Sequence, residues 1–200
     1  ENGTTFGFAF FTTTTTYTFS ANRWSTTDGQ WTVGKPSANS WEHYVITYNY
    51  ASTTNDPNIY QNGSLLSETE TATPVGTLEA DAAAPVLLGN NSGGVRNWAG
   101  DLAEWGIWAG VSLSQAEITA LSKGVCPLLI RPESIAFYSP VYGEQSPEPN
   151  WIHANSGTLT GTVKSSRHPK VIMPSRKRLI LPQAAAAAAT PKRLLLLGVG

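Results

Sequence analysis

Glu68 and Glu70, separated by Thr69, have the spacing that cleavage of a glycosidic bond would need on a β-strand. A strand sends residues i and i+2 to the same face. Retaining glycoside hydrolysis uses two carboxyl groups about 5–5.5 Å apart, one as nucleophile and one as acid. This pair, however, lies in a Ser/Thr-rich stretch just past a hairpin, with no third carboxylate and no aromatic neighbour. That setting predicts a solvated sheet edge. Asp101 and Glu104 differ by three and would face opposite sides of a regular strand. His43, His153 and His168 are scattered, with no zinc-binding spacing and no nucleophile elbow. His43, on an aromatic strand, is expected to be a satisfied structural histidine. Cys126 has no second cysteine to pair with, so a buried, inert thiol is expected. No catalytic residue is assigned, and the chain is read as a non-enzyme.

The residue types point instead to recognition. Seven Trp is many for 200 residues. An indole offers an apolar face to stack on a sugar ring and a polar edge to bond it. Trp24, Trp31 and Trp98 sit near turns or loop ends and are the expected exposed platforms, whereas Trp41, Trp105 and Trp108 fall in strand motifs and are expected in the core. Asn90, Asn91, Arg96 and Asn97 lie on the loop just before Trp98 and add planar polar groups. Loops on a rigid scaffold are where binding usually resides.

The elements that must position these groups are mostly strands. A low charged fraction with abundant Thr, Gly, Trp and Tyr fits an all-β class. Strands are expected over residues 6–11, 12–19, 41–50, 59–66, 86–88, 98–108 and 135–142, with 71–78 a strand or loop. Asn62-Gly63 is a tight-turn signal. Gly100 and Gly106, inside a strand, suggest a bulge or close backbone approach. Ser114 and Glu117 form a capping box opening a short helix, and Gly124 stands at its expected C′ position.

Three segments carry a family resemblance. Trp41-Glu42-His43-Tyr44-Val45-Ile46-Thr47-Tyr48 is similar to a W-x-H-V-x-x-T-Y strand, and Ile59-Tyr60-Gln61-Asn62-Gly63-Ser64-Leu65 to a Y-V-N-G-x-L hairpin. Leu87-Leu88-Gly89-Asn90 is followed by Gly100-Asp101-Leu102-Ala103-Glu104-Trp105 and Leu113-Ser114-Gln115-Ala116-Glu117-Ile118. In this order they resemble the laminin G-like, concanavalin A-like jelly-roll superfamily, in its bacterial and viral branch. The resemblance implies an all-β antiparallel sandwich with one short helix at 114–122. It further implies a rim that binds glycans or proteins, sometimes with calcium, and an extracellular or virion-associated setting. Calcium takes about 6–8 oxygen ligands. Asp81 and Asp101, with Asn90 and Asn91, would supply some of them, but no compact D-x-D-x-D loop occurs. The family usually opens with further strands ahead of Phe6, so an N-terminally truncated domain is expected.

Three zones follow: a domain over 1–142, a β/turn extension over 143–163 and a flexible tail over 164–200. The run from Arg131 to Pro174 also resembles segments that follow such domains in phage-type proteins. Charge is uneven. Residues 1–148 hold all fourteen acids and five of the thirteen bases, and residues 149–200 hold eight bases and no acid. Such a tail suits contact with another virion or surface protein. Only Arg176-Lys177-Arg178 is clustered and no aromatic residues are interleaved, which disfavours nucleic acid. Leu194–Leu197 is far short of a membrane span. The N-x-S/T triplets at Asn2, Asn62 and Asn90 are read as chance matches in a bacterial or viral chain. Two functions remain open: a glycan-recognition module, and a structural particle-associated protein.

Overall fold

The computed structural model describes residues 7–35, 39–80, 86–90, 94, 97–143, 146–153, 157–160 and 168–173. Its strands are β1 (Ala9–Thr12), β2 (Thr16–Ala21), β3 (Gly29–Gly34), β4 (Tyr44–Thr47), β5 (Asn58–Gln61), β6 (Ser64–Leu65), β7 (Thr69–Ala72), β8 (Trp105–Trp108) and β9 (Ile135–Ser139), with helix α1 (Gln115–Ser122) between the last two. All strand pairing between them is antiparallel: a four-stranded sheet in the order β1-β2-β3-β7, a three-stranded sheet β4-β5-β6, and the ladder β8-β9.

The period-two alternation of the first strands builds the main core. Tyr17, Phe19 and Ala21 of β2 and Trp31 and Val33 of β3 are buried, and Tyr44 and Ile46 of β4 pack onto them from the second sheet. The contacts are largely aromatic. Tyr17 meets Tyr44 edge-on at 5.2 Å, and Trp31 lies 5.3 Å from Tyr48. Such pairs add about 0.5–1.5 kcal/mol each beyond the area they bury. The other face of β4 and β5 offers Val45 and Tyr60 to α1, which buries Ile118 and Leu121 against them.

α1 has the ends its sequence predicts. Ser114 Oγ accepts from the Glu117 amide, and the Glu117 carboxylate accepts from the Ser114 amide at 2.7 Å. At the other end the Gly124 amide donates to the Leu121 carbonyl and the Val125 amide to the Ala120 carbonyl. This pattern needs a left-handed residue at 124, and Gly124 has φ 85°. The Asn62-Gly63 turn also forms, with both residues at positive φ, as a two-residue hairpin with the right twist requires. Of the two glycines expected inside a strand, Gly106 lies in β8 and Gly100 lies outside it. A Cβ on Gly106 would stand 3.0 Å from the Trp108 ring, and the β8–β9 register shifts between Ile107 and Trp108.

Several expected elements differ. The strand over 98–108 shrinks to β8, because Glu104 takes φ 57°, outside extended backbone. The strand over 41–50 shrinks to β4. Residues 86–88 form no strand, and Val86 and Leu87 are exposed. The Thr run splits into β1, a turn and β2, since Thr13 turns the chain by accepting the Thr16 amide on its own Oγ1.

The tail boundary also moves. Residues 168–173, expected within the flexible tail, dock on the domain. The Ile172 amide donates to the Gly124 carbonyl at 2.6 Å, and the Cys126 amide to the Ile172 carbonyl at 3.1 Å. Val171 packs on the small core of Cys126, Ile135 and Tyr138. The rest of that zone, including Arg176-Lys177-Arg178 and Leu194–Leu197, lies outside the described residues. Among the described residues no helix is long and apolar enough to cross a membrane.

Candidate ligand-binding site

Between the sheets opens a cleft of about 1240 Å³, walled by β4, β8 and the segments leading into them. It exceeds the roughly 300–1,000 Å³ of most small-molecule pockets. Both strands are only half-buried along their length, because each faces this space. Aromatic side chains dominate the walls: Phe8, Trp41, Tyr44, Trp98 and Trp105. Trp41 and Phe8 are the exposed ones, at 43% and 41%.

Trp98, expected as an exposed platform, lines the cleft but packs on the main core. It is half-buried and stacks on Tyr17 at 6.0 Å with the rings 19° apart. Its amide donates to the Gly89 carbonyl at 2.7 Å, which ties Leu87–Gly89 to the same rim. Asn90 Nδ2 donates to Asn97 Oδ1 at 2.6 Å, so these two brace the loop across its base. Asn91, Arg96 and Asp81 lie outside the described residues. Asp101 is exposed and lines the cleft. Among the described residues no three His, Cys, Asp or Glu side chains gather as a metal site.

The other tryptophans reverse their expected places. Trp31 is fully buried and Trp24 is 7% exposed. Neither lines the cleft. Gly29 is the first residue of β3, and Trp31 stands inside that strand, facing the core. The indole Nε1 of Trp31 donates to Asp56 Oδ1 at 2.9 Å, satisfying its one polar atom. Trp41, expected in the core, precedes the first residue of β4 and stands free of the core. Trp105 and Trp108 are half-buried, and Trp108 Nε1 donates to the Ile130 carbonyl.

Around Trp41 lies a polar network that sequence reasoning missed. Glu42 accepts from Ser40 Oγ at 2.7 Å, from Gln61 Nε2 at 3.3 Å and from Asn62 Nδ2. The bonds from Ser40 and Asn62 hold its carboxyl below the usual carboxylate range. Asn62 Oδ1 accepts the His43 amide at 2.9 Å. Burial pushes the His43 imidazole down, so it is neutral near pH 7. Its Nδ1 finds no partner among the described residues, against the expectation of a satisfied histidine, and the same holds for Tyr44 OH and the Nε1 of Trp98 and Trp105. Most buried polar groups are paired. Most of the buried polar side-chain atoms without a hydrogen-bond partner among the described residues belong to residues that line this one cleft.

Glu104 forms a second buried cluster at the far side. Tyr138 OH donates to its Oε2 at 2.7 Å, and His168 Nε2 lies 3.1 Å from Oε1. Burial raises the Glu104 carboxyl despite these partners. With Glu104 in left-handed backbone, the face argument for Asp101 and Glu104 does not apply to it. His168 joins the cluster from residues 168–173, a long-range contact with no signal in local spacing. Cys126 is fully buried, with Sγ 4.0 Å from Tyr138 OH. Glu70 belongs to the edge strand β7 and Glu68 just precedes it, and neither lines the cleft. His153 is exposed.

The sandwich, its capped helix and the Asn62-Gly63 hairpin agree with a comparison against protein families. The laminin G-type model, described as the concanavalin A-like lectin/glucanases superfamily, matches residues 1–119. Comparisons with curated proteins and with solved structures give no match. The matched part holds β1–β8, most of α1 and most of the cleft walls, and on that basis the chain belongs to the laminin G-like branch of the concanavalin A-like lectin/glucanase superfamily.

Proposed function

We propose that the chain is a non-catalytic carbohydrate-binding module whose ligand lies in the aromatic cleft between β4 and β8. The observation that carries this reading is the composition of the walls. Trp41, Trp98 and Trp105 bring apolar ring faces, and unpaired polar atoms stand among them. A sugar chain has the complementary make-up, with apolar ring faces and many hydroxyls. Aromatic platforms with a few placed polar groups are how a protein holds such a ligand. Among the described carboxylates of the cleft, Glu104 is hydrogen-bonded to Tyr138 and paired with His168, and Asp101 is exposed. Glu68 and Glu70 are away from the cleft, and Glu42 is committed to a hydrogen-bond network. The superfamily supports a carbohydrate-binding module at this coarse level. An extracellular setting belongs to the same proposal, and a structural, particle-associated role is the alternative to it.

The test is a glycan-array screen of the intact chain beside Trp98→Ala, with and without calcium. Selective binding that the variant loses supports the reading. Binding that the variant keeps moves the ligand away from Trp98. Absence of binding under every condition overturns the carbohydrate reading in favour of a structural role.

A further inference from the structure

Resting on the reading of the cleft as a carbohydrate site, we infer that the corner formed by Trp41, Glu42 and Asn62 is its sugar-reading subsite, and that it takes an uncharged hexopyranose and rejects acidic sugars. Trp41 offers the one strongly exposed indole of the cleft. The residue beside it and the hairpin facing it supply the polar half.

The hydrogen-bond inventory defines what this corner can still accept. A carboxylate has about four acceptor sites. Among the described residues, Glu42 Oε2 is filled by Gln61 and Asn62, whereas Oε1 receives Ser40 alone. One acceptor site on Oε1 therefore stays open to a ligand hydroxyl. Asn62 spends its Oδ1 on the His43 amide and one N–H on Glu42, which leaves its second N–H to donate. One acceptor and one donor, on side chains hydrogen-bonded to each other in the cleft wall that also carries Trp41, suit two neighbouring hydroxyls of one sugar ring. The tight turn fixes Asn62, since Asn62 and Gly63 both hold positive φ.

The charge of the corner sets the class of sugar. Glu42 is pinned by three donors, so a carboxylate-bearing sugar stacked on Trp41 would meet a fixed like charge. Lys35, Lys123 and Lys170 also line the cleft and are exposed, but a lysine on a flexible four-carbon stem is a solvated point charge and does not impose geometry.

The experiment is isothermal titration of the intact chain and of Trp41→Ala, Trp41→Phe and Glu42→Gln. The probes are uncharged hexose oligosaccharides and the same chains ending in a uronic or sialic acid. Trp41→Ala is expected to weaken the uncharged probe about tenfold or more, with Trp41→Phe restoring most of it. Glu42→Gln is expected to weaken the uncharged probe about tenfold and to gain affinity for the acidic one. Near-ultraviolet circular dichroism checks that each variant is folded. Unchanged affinity in all three variants overturns the subsite while leaving the carbohydrate reading intact, and so does a wild-type preference for the acidic probe. If no carbohydrate binds the wild-type chain, both the carbohydrate reading and the subsite fall.

Discussion

At the residue scale, strand membership decides what each tryptophan does. Trp31 and Trp41 both follow turn-like sequence, yet one is in the core and the other at the cleft mouth. Local spacing ranks them the wrong way round, because strand boundaries depend on pairing partners distant in the chain. Trp31 is in register with Phe19 of β2 and Glu70 of β7, and that pairing carries Gly29 into the strand as well. A Cβ at residue 29 would stand 2.4 Å from the Trp31 ring, so the glycine makes room for the indole. Trp31→Ala is therefore expected to destabilise the fold by about 3–5 kcal/mol, the usual cost of deleting a large buried aromatic. Trp41→Ala is expected to leave stability within about 0.5 kcal/mol, as at other exposed sites. Urea unfolding of the two variants separates them. Equal losses would contradict the assignment of core and platform.

At the element scale, the helix and the hairpin were the most legible parts, since their signals are local. Ser114, Glu117, Gly124 and Asn62-Gly63 all act where their spacing places them. Gly63 carries two constraints. It has φ 85°, and a Cβ there would stand 2.7 Å from Ser122 Oγ of α1. Gly63→Ala is expected to destabilise by more than about 1 kcal/mol, through backbone strain and displacement of the helix. Thermal unfolding checks it, with an unchanged midpoint as the contrary result. Glu117 adds a pH dependence. Its hydrogen bonds to Arg131 and Ser114 lower its carboxyl to about 2 from an ordinary value of 4.5. A carboxyl lowered in the folded state contributes stability that is complete above its unfolded value and lost as pH falls through the folded one. Glu117→Gln should therefore flatten the stability profile between about pH 4.5 and 2. A variant profile parallel to wild type would contradict this.

At the scale of the whole molecule, the all-β class and the order of the motifs were readable from sequence, because alternation and turn chemistry repeat along the chain. The cleft and the docking of 168–173 were not readable. The first arises from how β4 and β8 face one space, and the second from pairing of Ile172 with residues 124 and 126. Gly124 serves both ends of this arrangement, since a Cβ there would meet the Lys170 carbonyl at 2.7 Å. A chain ending at residue 167 is expected to unfold at lower temperature, because Val171 no longer covers Cys126 and Tyr138. Equal midpoints for the shortened and intact chains would show that this docking does not support the fold.

The central claim is that sugar enters the cleft lined by Trp41, Trp98 and Trp105 while Trp24 and Trp31 stay in the core. The most direct measurement is nuclear magnetic resonance of the seven indole N–H groups during titration with the uncharged oligosaccharides. Saturable shifts at Trp41, Trp98 and Trp105, with Trp24 and Trp31 unmoved, are the predicted result. Shifts confined to Trp24 and Trp31, or none at any indole across the titration, would contradict it.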